Sequence, residues 1–420
     1  MQNKIKKNIH IIGGSLYGCL LAYHFSSKKK YEVFIIENSE KLLNSLNSIT
    51  LNNMELNNGY HIFEKPRSKD LLNFLIKKIK IKFKYFNNKK KISINQYLIN
   101  SDANLNEWPN EIKKSINIKK NFYDSKQNLD QYFKKDLQKL IKENSKRFSD
   151  NFENCKHLFL PFFLPADISH RSNERGNFFR NMLKKSKIKS TIASPKKLLF
   201  SAIQKPIEKI LRKRGVKILF NTKAIFKNKK IEYLSKEKKI DLININTKKI
   251  FFCLSSVFMI KDIYPRYLKD LDSQKRFFYN CLVRINPKEK KLDFSEILCL
   301  NNNFPSLNRI SSPSNLLRLK DKYVQIEIIS KDKLDFLKIK KKLLNEIKKI
   351  LHLKNYPTFE EAKITRVIYT LNKVWEKKSA NKCKKWILNY NKKIVSKFNF
   401  SPVNLNATWF YAKDDYKKYF

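Results

Sequence analysis

Glycine is almost missing from this chain, with six in 420 residues against a usual share of about 7%. Each glycine that remains is therefore informative. Cysteine is thinly spread as well: Cys19, Cys155, Cys253, Cys281, Cys299 and Cys383 form no close pair. That spacing excludes a disulfide framework and a zinc-ligand pattern, and it favours a reducing compartment, here the cytoplasm. The six histidines are equally dispersed, so no metal centre is expected. No uninterrupted apolar run reaches the roughly 18 to 20 residues of a membrane span, so no transmembrane segment is expected and the chain reads as soluble.

Acidic residues are also few, 37 against 90 Lys and Arg, which leaves a formal charge of +53. A nucleic-acid binder would gather such charge to meet phosphates. Here the Lys runs at 28–30, 89–91, 184–189 and 340–342 are scattered, and Asn and Ile are abundant beside them. All three residue types have A/T-rich codons, so a genomic bias accounts for the excess and no specific nucleic-acid partner is expected. A positive field still raises the encounter rate of anionic small molecules. Disorder is excluded because 42% of residues are apolar, among them 31 Phe and 19 Tyr, enough area to offset chain entropy.

Three lysines within Met1–Asn8 followed by the apolar stretch Ile9–Phe25 have the outline of a secretory leader. Against that reading, a second apolar run, Tyr31–Ile36, follows and ends in an acid, Glu37. A discarded leader has no use for either.

Three of the glycines fall within six positions, Gly13, Gly14 and Gly18. The residues before them end in the apolar run Ile9–Ile12, which reads as a strand, and Leu16–Ser26 has the apolar spacing of a helix. Strand, glycine turn and helix open a dinucleotide-binding unit. A glycine at the strand end permits the sharp turn, a small residue lets a pyrophosphate approach the backbone, and a glycine one helical turn later lets helix and strand pack closely. The helix N-terminus then presents N–H groups and a positive dipole end to the phosphates. Ser15 stands where the full motif has its second glycine. Glu37, 24 residues after Gly13, is placed to accept hydrogen bonds from the adenosine ribose. Gly18 is followed by Cys19 and Leu20 rather than Lys and Ser or Thr, which excludes a P-loop.

Further segments carry a resemblance. Asn57-Asn58-Gly59-Tyr60-His61-Ile62-Phe63, Leu211–Phe226, Ile250–Ser256, Leu307–Asn315 with Gln325-Ile326-Glu327, and Pro402–Asn406 resemble, in that order, segments of the amine-oxidase-like flavoproteins. UDP-galactopyranose mutase-like and protoporphyrinogen oxidase-like proteins are the nearest members. The resemblance implies FAD as cofactor. It places Gly59 and His61 beside the flavin ring, Ala224 against the adenine, Arg309 on an anionic group of the substrate, and the backbone at Asn404 and Leu405 against the flavin pyrimidine. Gly215 is expected to cap a helix C-terminus in a left-handed conformation. The chain departs from the family in having Lys397-Phe398-Asn399-Phe400 where a Gly-Arg pair is usual.

The expected fold class is α/β, a discontinuous Rossmann-like FAD-binding domain built from 1–75, 190–263 and 365–420, with an inserted α+β substrate domain built from 76–189 and 264–364. The expected function is that of an FAD-dependent oxidoreductase acting on a small polar or anionic substrate. A mutase acting on a nucleotide sugar with reduced FAD is the alternative. Ser15 and the missing Gly-Arg pair motivate a third reading, a non-catalytic flavoprotein that has lost its activity.

Overall fold

The computed structural model describes residues 6–59, 63–65, 69–87, 89–101, 103–116, 133–150, 191–195, 199–227, 230–235, 238–240, 247–253, 273–290, 292–313, 322–371 and 394–395. His61, Asn404 and Leu405 lie outside them.

The chain opens with β1 (Lys7–Ile12), α1 (Leu16–Ser26) and β2 (Tyr31–Ile36). They belong to a five-stranded sheet completed by β10 (Lys217–Leu219), β14 (Thr247–Phe252) and β20 (Ile394–Val395), in the order β10-β2-β1-β14-β20. Every pairing in it is parallel. A parallel sheet is covered on both faces, so its strands read as unbroken apolar runs rather than alternating ones. Five of the six residues of β1 are buried accordingly. One face packs on α1, α2 (Lys69–Lys77) and α5 (Gln204–Lys213) through Ile9, Ile11, Val33, Ile35, Leu20 and Leu211. Gly18 sets how closely α1 lies: a Cβ there would stand 2.2 Å from the Gly13 carbonyl oxygen. Gly215 follows α5 with φ +76° and donates its N–H to the Arg212 carbonyl, as a left-handed cap requires.

The other face of the parallel sheet meets the meander β11 (Thr222–Lys227), β12 (Lys230–Ser235) and β13 (Lys238–Ile240). His10 and Tyr233 meet there, fully buried, Nδ1 to hydroxyl at 2.9 Å.

The second large body is a seven-stranded mixed sheet, order β19-β15-β18-β17-β16-β7-β8. Its strands are β7 (Lys90–Ile94), β8 (Tyr97–Asn100), β15 (Ser273–Ile285), β16 (Glu296–Leu300), β17 (Leu307–Ser311), β18 (Lys322–Ser330) and β19 (Thr358–Leu371). The expected boundary at 364/365 falls inside β19. Period-2 alternation sends Tyr279, Cys281, Val283, Ile326, Ile328 and Ile310 to one face, where α6 (Phe336–Ile350) covers them with Leu343, Ile347 and Ile350 at helical spacing. At the far end α3 (Asn110–Lys113) and α4 (Lys135–Ser145) pack on β7 and β8 through Ile112, Leu137, Leu140, Ile92 and Ile99.

Lys90 and Lys91 sit in β7, where the parallel pairing with β16 gives Lys90 a partner, Glu296, at 2.9 Å. The ribbon β3 (Ser48–Leu51) and β4 (Met54–Asn57) packs on the seven-stranded sheet through Leu51 and Leu56 against Leu282. The small sheet β5 (Phe63–Lys65), β9 (Thr191–Pro195) and β6 (Phe83–Asn87) joins distant parts of the chain. Among the described residues no helix is long and apolar enough to cross a membrane.

Candidate functional site

At the end of β1 the backbone turns through Gly13, whose φ of +100° only glycine adopts without strain. The Gly13 N–H donates to the Ile36 carbonyl at 2.8 Å, which locks the turn to the end of β2. The next N–H, of Gly14, donates to Glu37 Oε2 at 2.6 Å. Glu37 Oε1 accepts from the Ser39 N–H and hydroxyl, both at 2.8 Å. One carboxylate therefore ties the first turn to the second. It stays partly exposed, and Oε2, with the Gly14 N–H as its one donor, has a further lone pair for a ribose hydroxyl.

Ser15 has φ −63° and ψ 167°, extended backbone that needs no glycine. Its hydroxyl accepts the Gly18 N–H at 3.3 Å as the N-cap of α1 and donates to the Cys253 carbonyl at 3.1 Å. The substitution for the second glycine is thus absorbed by the helix cap and the end of β14. Three features suit a dinucleotide: a left-handed Gly13, a Gly18 that tolerates no Cβ, and a carboxylate at the end of β2.

Glu37 also joins the turn to the meander. Its N–H donates to the Leu219 carbonyl at 2.9 Å and its carbonyl accepts the Thr222 N–H at 3.0 Å. Ala224, two residues along β11, is buried opposite Tyr233. The fold therefore brings Gly13, Gly14, Ser15, Gly18, Glu37 and the start of Ala224's strand to one edge of the parallel sheet.

Gly59 ends a second turn, with φ +92° and its N–H on the Asn57 carbonyl at 2.9 Å. This turn is pinned to the polar face of the seven-stranded sheet. The Asn57 carbonyl accepts from Gln325 Nε2 at 2.9 Å, Gln325 Nε2 also donates to Asn280 Oδ1 at 2.8 Å, and Asn280 Nδ2 reaches Asn58 Oδ1 at 3.3 Å and Thr365 Oγ1 at 2.9 Å. None of these amides was singled out from the sequence. Their signal was present, since Asn280 interrupts the apolar middle of β15, and Gln325 and Glu327 that of β18.

Arg309 lies on the same face, four-fifths buried, with Nε 3.3 Å from Glu296 Oε2 and 3.9 Å from Glu327 Oε2. Arg366 lies across the sheet with its guanidinium 4.0 Å from the Phe278 ring centre. Burial holds the Arg366 pKa below the usual arginine value, with Glu327 opposing the shift and Arg309 adding to it. Among the described residues Cys19, Cys253, Cys281 and Cys299 are buried and in no disulfide, and burial pushes the Cys299 thiol up to about 12.

The NAD(P)-binding Rossmann-like domain family model matches residues 11–76. No protein of curated function matches the chain by sequence. Among solved structures, that of reduced UDP-galactopyranose mutase superposes with a TM-score of 0.68 at 9% identity, over 99% of this chain and 95% of its own. A protein of Exiguobacterium sp. 255-15, provisionally assigned as a protoporphyrinogen oxidase, gives 0.64 at 11% identity over 98% of both chains. A redesigned putrescine oxidase gives 0.54 at 10% identity over 99% of both. The fold is shared with these structures, and identities this low establish the architecture alone, a Rossmann-like sheet joined to a second mixed sheet.

Proposed function

We propose that this chain is a flavoprotein that holds FAD and acts as an oxidoreductase on a small polar or anionic molecule. In this reading 1–75, 190–263 and the chain after β19 form the cofactor domain, and 76–189 with 264–371 the substrate domain, so that β19 stays whole in its sheet. The observation that carries it is the junction at Glu37, where one partly exposed carboxylate is held against a glycine turn that opens a helix. Backbone N–H groups of that turn would face the pyrophosphate, Glu37 the ribose, and Ala224 the adenine. Gly59 and His61 would border the isoalloxazine, with the backbone at Asn404 and Leu405 meeting its pyrimidine edge. The bound flavin would supply an acceptor for a hydride or electron pair. The chain's own contribution would be to bind, orient and exclude water, and the buried amide network at Asn58, Asn280, Gln325 and Thr365 supports a rigid floor for that task.

A second reading, a redox-neutral rearrangement of a nucleotide sugar, is favoured by the cations Arg309 and Arg366 on the sheet face, since guanidinium forks suit phosphate oxygens. Purification of the full chain with a visible flavin spectrum tests the cofactor. Hydrogen peroxide release or stoichiometric reduction of an added acceptor then separates the oxidoreductase from the mutase, which consumes no oxidant. Absence of any flavin band after titration with FAD would overturn both readings.

A further inference from the structure

The polar face of the seven-stranded sheet carries a row of alternating charge. Lys90 on β7 pairs with Glu296 on β16 at 2.9 Å. Glu296 pairs with Arg309 on β17 at 3.3 Å, and Arg309 stands opposite Glu327 on β18, 3.9 Å away. Glu327 also accepts from Asn308 Nδ2 at 2.9 Å. Beyond it, on β19, comes Arg366, in register with Phe278 on β15. Three cations and two acids leave one positive charge over, and the geometry says which it is. Arg309 is held between two carboxylates, whereas Arg366, among the described residues, has no carboxylate within 4.0 Å and no hydrogen bond.

The same sheet shows how this chain treats a structural arginine. Arg147, buried, spends its guanidinium on the main-chain carbonyls of Pro305, Leu307 and Cys299. Arg276, also buried, pairs with Asp150 at 2.9 Å and bonds the Lys275 carbonyl. Among the described residues Arg366 has neither kind of partner. Phe278 covers one flat side of its guanidinium and leaves the donor edge uncommitted. Its neighbour Thr365 is tied through Asn280 to Asn58, next to Gly59. The uncommitted fork therefore sits beside the seam where the Gly59 turn meets the sheet.

We propose that Arg366, rather than Arg309, grips an anionic group of the substrate, a carboxylate or a phosphate, on the Phe278 platform. Arg309 is then a positioning residue that keeps Glu327 engaged and away from Arg366. This rests on the reading above that the sheet face is the substrate side. Two oxygens of one oxyanion, carboxylate or phosphate, meet the open edge of the fork, and the surplus positive charge of the row is neutralised on binding.

The test is calorimetric titration of the purified full chain with pyrophosphate and, separately, with benzoate, on wild type, Arg366→Met, Arg366→Lys and Arg309→Met, with the flavin content of each recorded by absorbance. Wild type is expected to bind at least one probe. Arg366→Met should weaken it about 30-fold, Arg366→Lys should fall between, and Arg309→Met, which releases Glu327, should weaken it by less than Arg366→Met does. Binding of pyrophosphate alone assigns a phosphorylated substrate, and of benzoate alone a carboxylate. Because Arg366 has no ion pair or hydrogen bond among the described residues, and methionine can still pack on Phe278, Arg366→Met should melt about where wild type does, and Arg366→Lys serves if that variant does not fold. The proposal is overturned if wild type binds neither probe, if Arg366→Met binds as wild type does, or if Arg309→Met abolishes binding that Arg366→Met retains. Anion binding without flavin would overturn the cofactor reading and leave Arg366 assigned; flavin without anion binding would do the reverse.

Discussion

The carboxylate of Glu37 accepts the backbone N–H of Gly14 at 2.6 Å across 23 residues of chain. A Cβ on residue 14 would lie 2.9 Å from Glu37 Oε2 and 2.6 Å from Leu42 Cδ2. Gly14 is therefore held to glycine by its neighbours at the very place where a nucleotide would need an open backbone.

Gly14→Asp would place a second carboxylate against Glu37 and displace it. The variant is expected to purify without flavin absorbance while keeping its far-ultraviolet circular dichroism. Glu37→Gln is the milder partner. Each of its two terminal positions faces N–H or O–H donors, so the new NH2 group opposes one of them. A loss of about 1–3 kcal/mol in urea unfolding is expected, together with weaker FAD retention. Equal flavin content in wild type and Gly14→Asp would refute the placement of the cofactor.

Gly18→Ala pushes α1 off β1, since the Gly13 oxygen at 2.2 Å from the new Cβ is main chain and cannot swing aside. Overpacking of this kind costs about 1–3 kcal/mol. Thermal unfolding of the variant should show a lowered midpoint, whereas Gly215→Ala, with nothing within 4 Å of its Cβ, should pay only for its left-handed backbone.

His10 supplies a pH dependence. Burial holds its pKa at about 4, against an ordinary 6.5, with Glu32 opposing in part. The fold thus keeps the imidazole neutral where the unfolded chain protonates it. Its contribution to stability is complete above the ordinary value and is lost as pH falls through about 4, to the extent of about 3 kcal/mol. Urea unfolding of wild type should weaken over that window, and His10→Leu should flatten the slope. An unchanged slope in His10→Leu would assign the pH dependence to other groups.

Arg147→Met strands the carbonyls of Pro305, Leu307 and Cys299. Unsatisfied buried acceptors cost about 1–3 kcal/mol each, so a marked fall in melting temperature is expected. Run beside Arg366→Met, it separates an arginine that holds the sheet together from one that waits for a ligand.

Cys19, Cys253, Cys281 and Cys299 are buried, and burial raises the thiol pKa of Cys19, Cys281 and Cys299. Since the thiolate is the reactive form, these four should resist a thiol reagent in the native protein and react once urea is added. Rapid native labelling of any of them, read by mass spectrometry, would contradict the packing described.

The glycine turn was legible because it is local. In a chain with so few glycines, Gly13 and Gly18 could be recognised by the strand before them and the helix after, and the sequence alone determined that a strand, a turn and a helix would present Glu37 at the next strand end. β15 and β18 carry an equally local pattern, a period of two along a single segment. Only the tertiary structure decided what each polar side chain meets. Ser15 finds the carbonyl of Cys253 across 238 residues, Arg309 finds Glu296 and Glu327, and Arg366 is left with Phe278. Strand order and register fix those partners, and a shift of one residue would send each side chain to the opposite face. Composition and spacing carry no record of that choice, because it is made by the packing of strands far apart in the chain.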